Sequence, residues 1–345
     1  MSAALRRPVP LAAAGWMLGL AALFGAAWAV DLGTLVTLNV FVILSILALS
    51  MALVWGVAGI FSFGQSVFFG LGAYAYAVLS LNEQGSAVAL GMALLLPCAA
   101  AALMGYFLFY GRISDVYLGV ITLTASLILY HLVNTVSGAD FRIGEVALGG
   151  FNGMPGVPPI ALFGHELGYG GLYLFSALLL VLVYGGLRLL VRSRFGQVVA
   201  AVREHELRAE LLGYDARAYK LGVFVVGAAI AGLAGALHAA WGGFVGPDVF
   251  GISFAAQIII WAQVGGVGML AGPVLGCVLI QWLTTWLGQT RLADTNLVLG
   301  VVFVLCVLLL PAGLLPWLRD RLRDRLLRPR GTADDTTQAG EGAAR

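Results

Sequence analysis

The stretch Ser193–Gly243 reads SRFGQVVAAVREHELRAELLGYDARAYKLGVFVVGAAIAGLAGALHAAWGG, a charged segment running straight into a long apolar one built on small residues. Seven basic residues lie in or beside its first half: Arg188, Arg192, Arg194, Arg203, Arg208, Arg217 and Lys220. A basic cluster so close to apolar spans marks the cytoplasmic side of a membrane protein. Within it Val198, Val199, Val202, Ala209 and Leu212 recur at helical spacing. Arg203, Glu204, Glu206, Arg208 and Glu210 fall mostly on other faces. The pattern predicts a short helix over 198–212, lying across the inner surface with something to dock against. A solvated, charge-rich loop is the plainer alternative. In the second half Gly227, Ala231, Gly235, Ala239 and Gly243 place a small residue at every fourth position. This is the ridge by which membrane helices pack backbone to backbone, so the helix belongs to the core or to a dimer interface.

The composition outside this stretch is that of lipid-soluble helix. The chain is 61% hydrophobic and 10% charged, with mean hydropathy +0.96; soluble domains carry roughly a quarter of charged residues. Long uncharged runs exceed the ten or so residues of a barrel strand, so the class is all-α, a polytopic helical membrane protein. About ten spans are expected, near 11–30, 35–57, 62–81, 87–110, 113–135, 170–190, 218–241, 253–270, 272–288 and 297–315. Sorting basic residues by side puts both termini in the cytoplasm and leaves few on the outer side, Arg291 among them. Arg6-Arg7, the following apolar run and Ala27-Trp28-Ala29 also have the layout of a secretory signal. The run from Leu11 to Val30 is longer than the 7–15 residues of a signal core, and an uncleaved first span is expected. The transmembrane domain then covers 1–317, with a cytoplasmic loop at 191–217. A tail at 318–345 begins with six arginines between Arg319 and Arg330, suited to anionic lipid, and ends in a small, polar, disordered stretch. Cys98, Cys277 and Cys306 stand singly in apolar runs, against disulfide or zinc readings.

Two hydrophobic runs are interrupted by glycine. The first contains Gly64, Gln65, Gly70, Gly72 and Tyr74; the second contains Gly265, Gly266 and Gly268, preceded by Gln257 and Gln263. Broken helices at membrane depth build transport sites near the midplane, and small residues equally serve tight packing. Both readings stand on spacing alone. Asp115 and His131 are read as interfacial, and His238, beside the small-residue ridge, as a packing histidine. Residues 136–168, rich in Gly and Pro around Gly149-Gly150-Phe151-Asn152-Gly153, are expected to form turns on the outer side.

Several of these segments together resemble the permease family of branched-chain amino-acid ABC importers, of the LivM type. The loop positions are Ala201-Val202-Arg203-Glu204-His205-Glu206, then Ala209 and Gly213, then Lys220-Leu221. The run GQSVFFGLGAYAYA from Gly64, the segment from Asp115 to Leu123, the GGFNG turn, the GGVGMLAGPVLG run from Gly265 and Leu310-Pro311-Ala312-Gly313-Leu314 follow in the family's order. Met269 departs from it where Thr is usual. The resemblance implies that Arg203, Glu204, Glu206, Arg208, Ala209, Glu210 and Gly213 form a coupling helix for an ATPase subunit. It also makes the two glycine-rich runs the substrate pathway. The implied partners are a second, LivH-like permease, two cytoplasmic ATPases and an external solute-binding protein, in the plasma (inner) membrane of a bacterium.

What the chain lacks narrows the function. It carries no HExxH, no paired intramembrane carboxylates and no nucleophile elbow, so an enzyme is not expected. Its single lysine, Lys220, follows Tyr219 and cannot belong to a P-loop, so ATP is bound by partner subunits and the chain needs no cofactor and no nucleic acid. The cargo implied by the resemblance is a branched-chain amino acid. A urea or short-amide importer permease, an ATP-independent channel and a membrane anchor remain the alternatives.

Overall fold

The computed structural model describes residues 23–136, 141–162 and 164–290, together with 297–298, 300–301, 304, 308, 313–317 and 321. Ten helices are described: α1 (Leu32–Met51), α2 (Gln65–Leu81), α3 (Ser86–Tyr110), α4 (Asp115–Thr135), α5 (Tyr169–Arg192), α6 (Arg194–Glu204), α7 (Glu206–Leu211), α8 (Ala216–Gly242), α9 (Ile252–Gly265) and α10 (Ala271–Thr290). Residues 23–29 are also helical.

Six of the described segments are long and apolar enough to cross a membrane: Leu32–Val57, Ser86–Tyr110, Val116–Thr135, Tyr169–Arg192, Ala216–Gly242 and Ala271–Gln289. The expected spans at 62–81 and 253–270 are shorter than foreseen. They form helices of 17 and 14 residues, about 25 and 21 Å at a rise of 1.5 Å per residue. Each is cut where the backbone must turn. Ahead of α2, the Gly64 amide donates to Ser62 Oγ (2.9 Å) and the Phe63 amide to Thr122 Oγ1 of α4 (3.0 Å). The amides released by the break are therefore satisfied within the protein, as apolar surroundings demand. After α9, Gly266 and Gly268 take φ of 109° and 125°, open only to glycine. The expected spans at 11–30 and 297–315, and the tail at 318–345, lie wholly or largely outside the described residues, as do Arg6, Arg7, Arg291 and Cys306.

α1 and α8 form the centre. Their apolar windows are 83% and 72% buried, against 22%, 22% and 17% for α3, α4 and α5. The outer helices accordingly turn Leu, Val, Phe and Tyr side chains outward, as lipid contact requires. α8 packs on α1, α2 and α3, and α9 and α10 pair as a hairpin. The small-residue ridge explains how so many helices reach α8. A Cβ at Gly235 would overlap the Phe69 carbonyl oxygen of α2, and one at Gly72 would overlap the Gly232 backbone. Gly227 receives Val54, and Gly232 receives Ala93 and Pro97 of α3. α1 is capped by Asp31, whose carboxylate accepts from the side chain and the amide of Thr34 (2.7 and 3.1 Å). These bonds hold its carboxyl below the usual carboxylate range. The helix then widens into a π-turn at Ala52–Val57.

The turns expected on the outer side carry short pairings. β1 (Arg142–Ile143) pairs with β2 (Val146–Ala147), β4 (Ala161–Leu162) pairs with β5 (His165–Glu166), and β3 (Met154–Pro155) pairs with β6 (Phe244–Val245) beyond α8. Asn82, at the end of α2, binds this cap by donating to the Ile143 carbonyl and accepting from the Glu145 amide, each at 2.9 Å.

The inner segment differs from the single helix foreseen over 198–212. It is two helices, α6 and α7, parted at His205, which is extended (φ −153°, ψ 91°). The break folds Ala209 back onto Val202 and Ala216, so the apolar stripe is split: Val199, Val202 and Ala209 are buried while Leu212 is 73% exposed.

Replacing Gly235 by Ala is expected to destabilise the protein by about 1–3 kcal/mol, the range for overpacking a filled site. Gly170, which has nothing within 4 Å, is the control; its change to Ala is expected to stabilise by about 0.5–1 kcal/mol. Melting temperatures in detergent check both signs.

Candidate functional site

The second glycine-rich break and the charged segment converge on the π-turn of α1. Gly56 in that turn lies so close to the Gly268 amide that an added Cβ would sit 3.5 Å from it. From the inner side, Arg203 of α6 donates from Nη1 to the Gly56 carbonyl. Its side chain also lies against Gly59, where a Cβ would stand 2.8 Å from Arg203 Cγ. Gly59 has φ 75°, so the chain bends there in a conformation that side-chained residues rarely adopt. Arg203 therefore bridges the inner segment to backbone that in turn touches the second glycine break.

The first break is largely filled by packing. Gln65 is buried; its Oε1 accepts from Ser50 Oγ of α1 at 2.9 Å, and its Nε2 is buried without a partner among the described residues. Gly70 faces the Phe250 ring, which stacks on Tyr74 with centroids 5.6 Å apart. The Tyr74 hydroxyl is buried and has no hydrogen-bond partner among the described residues. In the second break Gly265 abuts Gly272 and Gly276, closing the α9–α10 hairpin, while Gly266 meets Gly313 beside the Gln263 carbonyl.

The remaining inner-segment residues sort by environment. Glu206 binds Lys220 of α8 at 2.6 Å, in a partly exposed ion pair. Glu204 and Arg208 are exposed, and Glu210 is half-buried at the edge of a cleft of about 430 Å³ that also holds Arg112, Arg217 and Lys220. Ala209 is buried, and Gly213 ends α7 with φ 91°. Leu207, Leu211 and Leu212 stand 70%, 81% and 73% exposed, an apolar face that no described residue covers.

At the opposite end, α2, α4, α8 and the start of α9 enclose a cavity of about 510 Å³. Gln257 lines it, as do His238, Asp248 and His131. The last three were not placed in a site by sequence reasoning. His131 and His238 read as interfacial or packing residues, and Asp248 as part of a turn. Nothing in their spacing shows that 131, 238, 248 and 257 meet; only the return of the chain at Gly246–Gly251 brings them together. Of the substrate-pathway residues foreseen, Gln257 alone borders this cavity; Gly64, Gln65, Gly70, Gly72, Tyr74, Gln263, Gly265, Gly266 and Gly268 do not line it.

Known proteins bear on this arrangement. The chain is 30% identical over 324 residues to the high-affinity branched-chain amino acid transport system permease protein LivM of Escherichia coli K12, covering 85% of this chain and 71% of that protein. The LivM protein of Salmonella typhimurium LT2 is similar at the same identity and coverage. No solved structure matches. The model of a family described as branched-chain amino acid transport system, permease component, matches residues 33–310. That match runs from the first long span through both glycine breaks, the Arg203 bridge and the outer cavity, and the chain belongs to this family of multi-pass membrane permeases.

Proposed function

We propose that this chain is one of two permease subunits of an ABC importer for branched-chain amino acids in a bacterial inner membrane. Two cytoplasmic ATPases drive it and an external solute-binding protein feeds it. The cargo follows the printed names of the LivM relatives. The observation that carries the mechanism is the Arg203 bridge: one guanidinium joins the inner segment to the Gly56 carbonyl, and Gly56 lies against Gly268.

In this reading the end bearing Arg112, Arg203, Arg217 and Lys220 faces the cytoplasm, as do both termini. Residues 1–317 are the permease domain and 318–345 a basic tail on the lipid surface. The exposed leucines at 207, 211 and 212 enter a groove of an ATPase, flanked by Glu204, Arg208 and Glu210. Movement of the ATPases on nucleotide binding pulls α6 and, through Arg203, the π-turn and the second glycine break. Hydrogen bonds to a charged group are worth about 1.5–3 kcal/mol, enough for one guanidinium to transmit such a displacement. The glycines at 265, 266 and 268 let the hairpin change shape at small steric cost.

With its operon partners in proteoliposomes, the protein is expected to accumulate leucine when ATP is supplied; uptake of urea without leucine would overturn the choice of cargo. In the same assay Arg203→Ala is expected to lower leucine uptake at least tenfold while the ATPases continue to hydrolyse. Breaking the exposed pair by Glu206→Gln is expected to cost no more than about 1 kcal/mol of stability, the usual worth of a surface ion pair, read as a shift in melting temperature.

A further inference from the structure

The outer cavity presents three kinds of group in one place. The first is the N-terminus of α9. Ile252, Ser253 and Phe254 line the cavity, and by position their amides have no acceptor within the helix. No side chain caps them among the described residues, Gly251 being the cap residue. Free amides at the positive end of a 14-residue helix attract a carboxylate. Beside them His238 lines the cavity, its Nδ1 turned into the protein and without a hydrogen-bond partner among the described residues.

The second kind is anionic. Asp248 supplies the one carboxylate among the lining residues; it is exposed at the rim, and no lysine or arginine lines the cavity with it. The third is apolar. Phe254, Leu127 and Val249 form the wall, backed by the fully buried Phe69, whose ring lies 5.0 Å from Phe254 and meets His238 edge-on at 5.4 Å. At about 510 Å³ the cavity falls within the range of small-molecule sites.

We propose that this cavity receives a zwitterionic α-amino acid with an aliphatic side chain. Its carboxylate sits on the α9 N-terminus beside His238, its ammonium faces Asp248, and its side chain lies against Phe254, Leu127 and Val249. The inference rests on the importer reading above and deepens it, since it assigns the permease its own cargo site at the outer end. A neutral amide such as urea would leave the carboxylate of Asp248 and the helix terminus uncompensated, and would gain little from the aromatic wall. Burying aliphatic carbon against that wall contributes about 25 cal/mol per Å².

The test uses the complete importer in proteoliposomes with saturating binding protein, measuring leucine moved per ATP hydrolysed. Asp248→Asn and His238→Phe, the second keeping the ring that packs on Phe69, are chosen among variants that still copurify with the partner subunits. Each is expected to lower the leucine-to-ATP ratio tenfold or more, because a cargo that is not received leaves hydrolysis futile, and Asp248→Glu is expected to recover most of it. A defect of folding or assembly lowers both quantities together and leaves the ratio unchanged. Copurifying variants with the wild-type ratio overturn the inference. A wild-type importer that hydrolyses ATP and moves no leucine overturns the importer reading instead.

Discussion

In hydrocarbon the solvent offers helices no hydrophobic reason to associate, so this fold depends on how closely its backbones can approach. The contact between α2 and α8 sets the scale. Gly72 lies on the Gly232 carbonyl and Gly235 on the Phe69 carbonyl, with no room for a methyl group at either crossing. α1 seats on the same ridge through Val54 at Gly227, and α3 seats beside it through Pro97 at Gly232. The remaining long helices pack around this centre, with their apolar side chains turned outward.

That centre was legible in the sequence because its signal is local. Small residues at 227, 231, 235 and 239 share one face of one helix, and four of the five ridge positions are buried as the spacing implies. The long spans were legible for the same reason. The short ones were not: hydropathy continues through Ser62–Gly64 and Gly265–Leu270, whereas the helical ladder stops where Ser62, Thr122 and left-handed glycines take over the backbone. Hydropathy counts apolar surface and is blind to where a hydrogen bond changes partner.

The functional end shows the same division. The charged inner segment announced itself by composition, and its link to Gly56 did not, because Arg203 and Gly56 are 147 residues apart and nothing in either neighbourhood refers to the other. The break at His205 also went unseen, since Val198 to Leu212 keep helical spacing straight through it. The outer cavity was hidden for a further reason. Each of His131, His238 and Asp248 has a bland local reading, and only the 3₁₀ turn Pro247–Phe250 swings the last of them over the other two.

One tether has a mechanical consequence. Asn82 closes α2, the short helix held on most of its surface by neighbours, and grips the outer cap through both ends of its amide. The cap is thus moored to α2 through Asn82, and also to α3, where the Ala161 amide donates to Ser86 Oγ at 2.9 Å. Through the Asn82 amide, a displacement of α2 along its axis is handed directly to the loops that cover its end.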